Sequence, residues 1–357
     1  MSLEDKLNRL FESFGYRRFR MSKFEEYDLY ASNKDFLMSS QLITFTDLDG
    51  SLLALKPDIT LSIIKSTNEA RKVYYNEMVY RPRDHHYREI PQAGIECIGK
   101  LDSYQEAEVI ALAARSLSVI DDNYILRLTD VSFVRALLTG TGIPRRYQNF
   151  IIQAMDQKNA DYIKSLVKDG ILSRKTGSDL VRLIDLYLPL KKGVKEVRTF
   201  IRNPECLAML DHLDEVAGVL AGFGVLDHIR LDFSLVNSMD YYNGLIFQGA
   251  LSSIPTAVLS GGRYDRLVEK MNKPYSAIGF ALYMDVVEGR RLSSRHYDGD
   301  ILVRYSEKDR PANVSPVINA LADRGNKVRA ASAADEVHEE RWKRVMTLKE
   351  AKKEAGL

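Results

Sequence analysis

Two short runs of alternating apolar residues flank a polar turn in the stretch from Leu231 to Ala250, which reads LDFSLVNSMDYYNGLIFQGA. Alternation from Ile229 to Val236, and again from Leu245 to Phe247, is typical of strands that bury one face. The turn between them ends in Asn243-Gly244, a pair that favours a tight hairpin. We therefore predict two adjacent strands that present an aspartate and two tyrosines at one rim. A tyrosine-rich hairpin without a ligand is the simpler interpretation of this stretch taken alone.

The composition fits a globular protein and excludes several functional classes. The 357 residues suffice for one large domain with a smaller appendage, and 45% of them are hydrophobic. Lysine and arginine number 51 against 49 aspartates and glutamates, so the net charge of +2 gives no support to a nucleic-acid partner. No apolar segment approaches the roughly 18 residues of a membrane span, and no signal-like segment opens the sequence. Cys97 and Cys206 are far apart and suit a reducing compartment, so we expect a cytoplasmic protein.

The first sixty residues predict a helix and then a hairpin. Apolar residues recur at helical spacing from Leu3 to Phe14, and Gly15 ends that helix. Two strand-like runs, Leu42 to Phe45 and Ser51 to Leu55, are joined by Asp49-Gly50, which suits a tight turn. The second run leads directly into the first candidate site residues.

Asp58 and Thr60 stand where that second strand gives way to a helical pattern from Leu61 to Ala70. A carboxylate and a hydroxyl at such a junction can hold an ammonium group, because the backbone fixes their positions. The alternative is that one of them caps the helix, since both are favoured N-cap residues. Spacing alone favours the cap.

Two longer strand-like runs follow, Val73 to Arg81 and Arg88 to Gly99. Gln92 and Glu96 are four residues apart on the second run, so their side chains point to the same face. Together they can offer a donor and an acceptor to a neutral imidazole, which needs one of each. Arg81 has the guanidinium geometry that binds a carboxylate through two hydrogen bonds.

The remainder of the chain predicts an insertion and a small appendage. Ile143 to Gly224 is helical almost throughout, which indicates an insertion between core strands whose simplest role is packing. Gly261-Gly262 permits a close backbone approach at a strand end, although Gly-Gly alone is also an ordinary turn. From Gly299 a strand-helix-strand pattern leads to a charged helix, Ala334 to Ala355, with a solvated face. The adjacent His85 and His86 have no third ligand in range and predict no metal site.

Four segments resemble the signature motifs of histidyl-tRNA synthetases and their relatives among class II aminoacyl-tRNA synthetases. They are LKPDIT, REIPQAGIE, MDYYNG and GGRYD, in the family's order, and the resemblance covers residues 1–295. It implies a histidine pocket in which Asp58 and Thr60 hold the ammonium group and Arg81 holds the carboxylate. Around the imidazole and in the pocket's framework it implies Gln92, Glu96, Tyr241, Tyr242, Gly261, Gly262 and Tyr264.

The same segments depart from the synthetase pattern where the nucleotide is handled. Asn237 replaces the arginine that works on the adenylated intermediate, and Val286 replaces the arginine that clamps the triphosphate of ATP. Asp285 and Arg83 replace glutamates, and Lys56 replaces an arginine. A valine cannot stabilise phosphate charge. This combination resembles the regulatory subunits of ATP phosphoribosyltransferase, which are synthetase paralogues in histidine biosynthesis.

The resemblance implies an α+β fold with a class II synthetase-like antiparallel sheet flanked by helices. The expected domains are a core over 1–295, with a helical insertion over 141–225, and a small C-terminal α/β domain over 298–357. The implied function is that of a regulatory subunit with no catalytic residues, cofactor or metal, which binds free histidine and feeds back on a short catalytic subunit. A homodimer within a hetero-oligomer is expected, with no membrane or nucleic-acid partner. One alternative is a divergent histidyl-tRNA synthetase, and another is a synthetase-like protein with a different catalytic or scaffolding role.

Overall fold

The computed structural model describes residues 2–37, 41–83, 85–236, 242–288, 297–335 and 341–357. The chain divides into two compact units, 1–287 and 288–357. In the described part of the chain, none of the helices combines the length and the hydropathy that crossing a membrane requires.

The first unit is built around a large mixed sheet. Its strands in chain order are β1 (Arg17–Arg18), β2 (Phe24–Glu26), β3 (Thr44–Thr46), β4 (Leu52–Leu55), β5 (Arg71–Arg83), β6 (His86–Gly99), β7 (Tyr124–Asp130), β8 (Leu188–Pro189), β9 (Ile229–Leu231), β10 (Leu245–Leu251), β11 (Leu259–Arg263) and β12 (Ser276–Tyr283). Nine of them form one sheet in the order β1-β5-β6-β12-β11-β10-β7-β9-β8. Neighbours are antiparallel except for β1 with β5 and β7 with β9. The predicted hairpin of β3 and β4 is confirmed and, with β2, forms a small separate sheet.

The two longest strands, β5 and β6, form the predicted antiparallel pair. Their pairing runs from Arg71 opposite Ile98 to Arg83 opposite His86, so both strands are longer and the connection shorter than predicted. β6 then pairs along its second half with β12, where Glu96 lies opposite Gly279. Gln92 and Glu96 are therefore held in the middle of the sheet.

The predicted pairing of the strands around residues 240–244 is wrong. β9 and β10 are not neighbours, because β7 lies between them, parallel to β9 and antiparallel to β10. β9 ends at Leu231, and the Asp232 carboxylate then accepts hydrogen bonds from the backbone N–H and the hydroxyl of Ser234. The apolar residues that follow Leu231 are thus buried in a turn and not in a strand. Residues 237–241 lie outside the described residues.

Helices cover this sheet with their apolar faces. They are α1 (Leu3–Ser13), α2 (Tyr27–Ala31), α3 (Thr60–Lys65), α4 (Ser103–Ile120), α5 (Phe133–Leu138), α6 (Arg145–Asp156), α7 (Ala160–Lys168), α8 (Arg174–Asp185), α9 (Leu190–Arg198), α10 (Pro204–Gly222) and α11 (Asp265–Lys270). α4 is the central one, since it packs against β7, β10 and β12 and against α1 and α10. Asp102 begins it with a capping box that includes Gln105, and residues 106–114 are buried. A capping box pairs otherwise unbonded N–H groups at the start of a helix.

Helices α6 to α10 occupy the segment for which the sequence predicts a helical insertion between β7 and β9. α10 begins after the side chain of Asn203, which accepts hydrogen bonds from the N–H groups of Glu205 and Cys206, with Pro204 in the first turn. α10 packs against α4 and α5, and its buried residues belong to the same apolar core as the large sheet. The insertion is therefore continuous with the core of the first unit.

In its described residues, 297–335 and 341–357, the second unit shows a three-stranded parallel sheet with two α-helices. Its strands, β13 (Gly299–Tyr305), β14 (Val328–Ser332) and β15 (Trp342–Thr347), follow the order β14-β13-β15, and its helices are Ser315–Asp323 and Leu348–Ala355. The predicted single helix from Ala334 to Ala355 is wrong, because residues 342–347 form β15. A third strand beside β13 completes the small sheet, and tryptophan, valine and threonine favour strands. The final helix begins only after Thr347, which caps it with Glu350.

Candidate functional site

A cavity of about 750 Å³ opens in the first unit, and its volume suits a small organic ligand. Its walls include eight of the ten residues that the sequence nominates for the ligand: Asp58, Thr60, Arg81, Gln92, Glu96, Tyr242, Gly261 and Tyr264. Gly262 lies behind the Tyr242 ring, and a Cβ added at Gly262 would meet that ring at 2.8 Å. Tyr241 lies outside the described residues.

Glu96 lies at the centre of this arrangement. Its carboxylate accepts a hydrogen bond from the Thr60 hydroxyl (2.9 Å) at Oε1 and one from the Tyr264 hydroxyl (2.5 Å) at Oε2. The side chain is only 2% exposed. Burial raises the pKa of Glu96 to about 8, and the two hydrogen bonds counteract that rise only in part. Glu96 is therefore poised to change its protonation state near neutral pH.

Asp58 and Arg81 present opposite charges side by side. Arg81 NH2 lies 3.7 Å from Asp58 Oδ2, and Arg81 Nε donates a hydrogen bond to the carbonyl oxygen of Pro57. Asp58 Oδ1 also accepts the N–H of Leu61 (3.0 Å) in the first turn of α3, although the N-cap position itself is Ile59. Burial raises the pKa of Asp58, and the guanidinium of Arg81 opposes that shift. A cation and an anion, both partly buried, thus lie side by side in the cavity wall.

Gln92 extends the polar wall along β6. It is 4% exposed and lies opposite Tyr283 of β12, whose hydroxyl is 2.5 Å from Ser260 Oγ. Tyr75 and Tyr242 complete the aromatic part of the lining, and burial raises the pKa of both phenols well above the usual range. Both tyrosines are consequently neutral and can donate or accept hydrogen bonds.

Two glycines make room for this wall. A Cβ at Gly279 would lie 1.7 Å from Glu96 Oε2 and 2.4 Å from the carbonyl oxygen of Ile95. A Cβ at Gly261 would lie 2.4 Å from the carbonyl oxygen of Gly279. Close backbone approach is therefore the physical reason for glycine at both positions. The sequence did not nominate Gly279 as a site residue, but it shapes the Glu96 site directly.

The structure adds lining residues that the sequence did not nominate. Tyr75 lies on the same strand as Arg81, six residues earlier and hence on the same face, so strand periodicity could have identified it. Arg127 of β7 and Gln248 of β10 lie opposite each other in the register, and no short motif marks them. Asp156 belongs to α6, so the insertion contributes a residue to the cavity wall.

The residues that replace the synthetase pattern make contacts within the protein. Arg83 pairs with Asp285, so two of the replaced residues meet each other. Val286 is partly buried against the main apolar core, and Lys56 is fully buried and pairs with Glu77 at 2.8 Å. Asn237 lies outside the described residues.

Arg127 is a further cation in the cavity wall. Its guanidinium pairs with Asp232 at 3.3 Å and donates to the side-chain oxygen of Gln248. Asp232 is 1% exposed and also lies 3.6 Å from Lys158 Nζ of the insertion. The charge of Arg127 is therefore balanced within the protein. Across the residues that the structure describes, no group of three or more metal-ligating side chains is suited to a metal ion.

Comparison with known proteins assigns the chain to a family. The sequence model of the histidyl-tRNA synthetase family matches residues 1–287. An ATP phosphoribosyltransferase regulatory subunit from Caldanaerobacter subterraneus subsp. tengcongensis is 30% identical over 349 residues, covering 92% of this chain and 88% of that protein. This chain belongs to the family of ATP phosphoribosyltransferase regulatory subunits.

Solved structures agree with the fold of these regulatory subunits. A Bacillus halodurans protein described as an ATP phosphoribosyltransferase regulatory subunit/histidyl-tRNA synthetase superimposes with a TM-score of 0.74 at 23% identity, covering 97% of this chain and 92% of that one. A chain of the ATP phosphoribosyl transferase (HisG:HisZ) complex from Thermotoga maritima gives a TM-score of 0.63 at 18% identity, covering 79% and 96%. The predicted α+β fold of the class II synthetase type is confirmed.

Proposed function

We propose that this chain is a non-catalytic regulatory subunit that binds free histidine in the cavity and conveys feedback inhibition to a short catalytic subunit of ATP phosphoribosyltransferase. Its family supports the regulatory role. The Thermotoga maritima complex, which contains a chain of the same fold, supports a catalytic partner. The contacts around Asp58, Arg81 and Glu96 support the ligand.

The Asp58–Arg81 pair is the observation that best supports an amino acid as the ligand. An amino acid carries an ammonium group and a carboxylate on the same carbon atom. In the proposed complex the ammonium group lies against Asp58 and Thr60, and the carboxylate lies against Arg81. In this complex Asp58 and Arg81 each bond to a charged group of the ligand. Hydrogen bonds between charged partners are about twice as strong as neutral ones, so the site favours a zwitterion over a neutral ligand.

The imidazole then faces Gln92, Glu96, Tyr242 and Tyr264. A neutral imidazole needs one hydrogen-bond acceptor and one donor. Glu96 serves as the acceptor when ionised, and Gln92 or a tyrosine hydroxyl serves as the donor. The two phenols also offer ring faces against which the imidazole packs.

The replaced nucleotide-handling residues support a regulatory role over a synthetase. Val286 packs in the core, and Arg83 is engaged by Asp285. Arg127 is held by Asp232 and Gln248. The alternative, a divergent histidyl-tRNA synthetase, requires exchange of pyrophosphate into ATP that depends on histidine. Robust exchange by the purified chain would overturn the regulatory proposal.

Calorimetric titration of the purified chain with histidine is expected to give one site per chain. Asp58→Asn should weaken the affinity about 10- to 100-fold, because a hydrogen bond to a charged group contributes about 1.5–3 kcal/mol. Asparagine still accepts the N–H of Leu61, so the start of α3 is preserved. Asp161→Asn, which removes an exposed carboxylate next to Lys164, is the matched control and should leave the affinity unchanged. A flat trace with the unmodified chain would contradict the proposed ligand.

Feedback requires that histidine bind the free chain and the assembled enzyme with different free energies. A coupling of about 1–3 kcal/mol, equivalent to about 5- to 150-fold in affinity, suffices for ordinary regulation. We expect the chain, as a homodimer, to assemble with the short catalytic subunit, and histidine to inhibit the assembled enzyme. Titration of both forms measures the difference. Equal affinities, or full activity of the complex at saturating histidine, would rule out feedback through this site.

A further inference from the structure

A second group of charged side chains lies behind the cavity wall, outside the residues assigned to the ligand. Glu106 of α4 is 1% exposed, and its carboxylate accepts a hydrogen bond from Arg263 NH1 (2.7 Å) at Oε1. Its Oε2 lies 2.6 Å from His212 Nε2. Arg263 also donates to Asp265 through Nε (2.8 Å). We call Glu106, His212, Arg263 and Asp265 the Glu106 cluster.

Arg263 connects this cluster to both tyrosines of the site. Tyr264 follows it directly in the chain and donates its hydroxyl hydrogen bond to Glu96. On the other side, the carbonyl oxygen of Arg263 accepts the N–H of Asn243 (2.9 Å), which follows Tyr242. A shift of the Arg263 backbone therefore displaces Tyr242 and Tyr264 together.

Asp265 fixes the same turn from its other end. Its Oδ2 pairs with Arg263, and its Oδ1 accepts the backbone N–H of Ala277 (2.9 Å) on β12. The N–H of Tyr264 in turn donates to the carbonyl oxygen of Ala277 (2.9 Å). The turn that carries Tyr264 is thus tied to β12 at one end and, through Arg263, to α4 at the other.

The helical insertion supplies the outermost member of the cluster. His212 lies on α10, whereas Glu106 lies on α4, and α10 packs against α4. His212 is one-third exposed, so it exchanges protons with solvent while it holds Glu106. The contact joins the insertion to the turn that carries the site tyrosines.

We propose that Arg263, held by Glu106 and Asp265, is a positioning residue for Tyr242 and Tyr264, and that protonation of His212 on the insertion, by fixing the Glu106 carboxylate against Arg263, tightens ligand binding. The inference rests on the proposed histidine site and adds to it a contact through which the insertion acts on that site.

The charges around His212 favour its protonated form. Glu106 from α4, Asp130 from β7 and Arg263 from β11 face it. The hydrogen bond to Glu106 raises the pKa of His212, and the negative charges of Glu106 and Asp130 add to that rise against burial and Arg263. The pKa of His212 in the folded protein lies above 6.5. The ion pair between His212 and Glu106 is therefore fully formed below pH 6.5 and is lost as the pH rises through that folded pKa. The bond through which His212 holds the Glu106 carboxylate is therefore strongest under mildly acidic conditions.

The test compares histidine affinity of the unmodified chain with that of His212→Gln at pH 6.0 and pH 8.5. Glutamine keeps a hydrogen-bond donor but carries no charge, so it imitates the neutral imidazole. The ratio of the two dissociation constants should be about five at pH 6.0 and should be closer to one at pH 8.5. Ionisation of the ligand and of Glu96 affects both proteins alike and cancels in the ratio. A role in packing alone gives a ratio that does not change with pH, and such a result would overturn the proposal.

His228→Gln is the matched control. His228 stacks on Tyr124 at 4.1 Å between ring centroids, with Nδ1 near the carbonyl oxygen of Tyr124, and it has no contact with the Glu106 cluster in the described structure. Its ratio should stay near one at both pH values. A pH-dependent ratio in this control would mean that the effect is not specific to His212.

A second readout does not depend on histidine. In protein with ¹³C-labelled tyrosine, the ring resonances of Tyr242 and Tyr264, assigned with the Phe variants, should shift as His212 titrates. The same shift should be absent in His212→Gln. If the unmodified chain fails to bind histidine but these resonances follow His212, the proposed ligand is wrong and the positioning role stands. If they do not follow His212, the positioning role is wrong whatever the ligand.

Discussion

Glu96→Gln is expected to raise the melting temperature of the protein at pH 8.5 and to weaken histidine binding at least about 10-fold. Glu96 is buried and its pKa is raised to about 8, so ionisation in the folded protein is unfavourable. Glutamine fills nearly the same volume; its amide oxygen accepts the hydrogen bond of one of the two hydroxyl groups of Thr60 and Tyr264, and its NH2 group donates to the other hydroxyl oxygen. It carries no charge with which to hold a ring N–H of the ligand. Stability and binding should therefore move in opposite directions.

The pH dependence of this gain has a fixed sign. The folded pKa of Glu96 lies above the ordinary value of 4.5, so the folded state loses stability as the pH rises from 4.5 towards 8 and carries the full penalty above 8. A shift of this size corresponds to roughly 5 kcal/mol at most, and burial of the amide group reduces the net gain to about 2 kcal/mol. Thermal denaturation should thus show a rise of about 4 °C or more at pH 8.5 and little change at pH 5.

Glu12→Gln provides the control for a lost carboxylate. Glu12 accepts a hydrogen bond from Tyr74 (2.6 Å), as Glu96 does from Tyr264, but it lies at the surface on α1. Its effect on the melting temperature should be small and similar at both pH values. If Glu96→Gln lowers the melting temperature at pH 8.5, the ionised Glu96 side chain does not destabilise the folded protein. The inference that Glu96 provides an ionised acceptor for the imidazole at a cost in stability would then be contradicted.

The parts of the site that the sequence predicted are those set by local geometry. β5 and β6 are long and joined directly, and side chains four residues apart on a strand point to the same face, so Gln92 and Glu96 are placed together by strand geometry alone. The strand-to-helix junction at Asp58 and Thr60 is equally local. That these segments meet at one cavity depends on contacts between distant parts of the chain. The sequence indicated it only through the resemblance to the family's motifs and their order.

The errors arose where distant parts of the chain decide the outcome. Alternation from Ile229 to Val236 predicts a strand, but pairing partners determine where a strand ends, and β9 ends at Leu231 beside β7. The charged residues within 342–347 predict a helix, but this segment pairs with β13 and forms an edge strand of the small sheet. Asp156 lines the cavity although it belongs to the insertion. Neither helical periodicity nor any motif predicts that placement.

Gly279→Ala is expected to destabilise the protein by about 3 kcal/mol or more and to abolish histidine binding. The new methyl group would lie 1.7 Å from Glu96 Oε2 and 2.4 Å from the carbonyl oxygen of Ile95. The backbone contact cannot relax by rotation of a side chain, and β12 is paired on both sides. Unfolding in urea, followed by circular dichroism, measures the loss of stability, and calorimetry measures the loss of binding.

Two further variants decide whether the clash with Glu96 is the cause. Gly279→Ala combined with Glu96→Ala removes the carboxylate that the methyl group displaces, so the two changes should couple favourably by about 1–2 kcal/mol. Gly218→Ala on α10 places a methyl group where no atom lies within 4 Å, and a helical position should then gain about 0.5–1 kcal/mol. Strict additivity of the first pair would show that the methyl group at position 279 acts through Ile95 and β12 alone. The glycine would then maintain the sheet, and Glu96 would owe its place in the cavity to Thr60 and Tyr264.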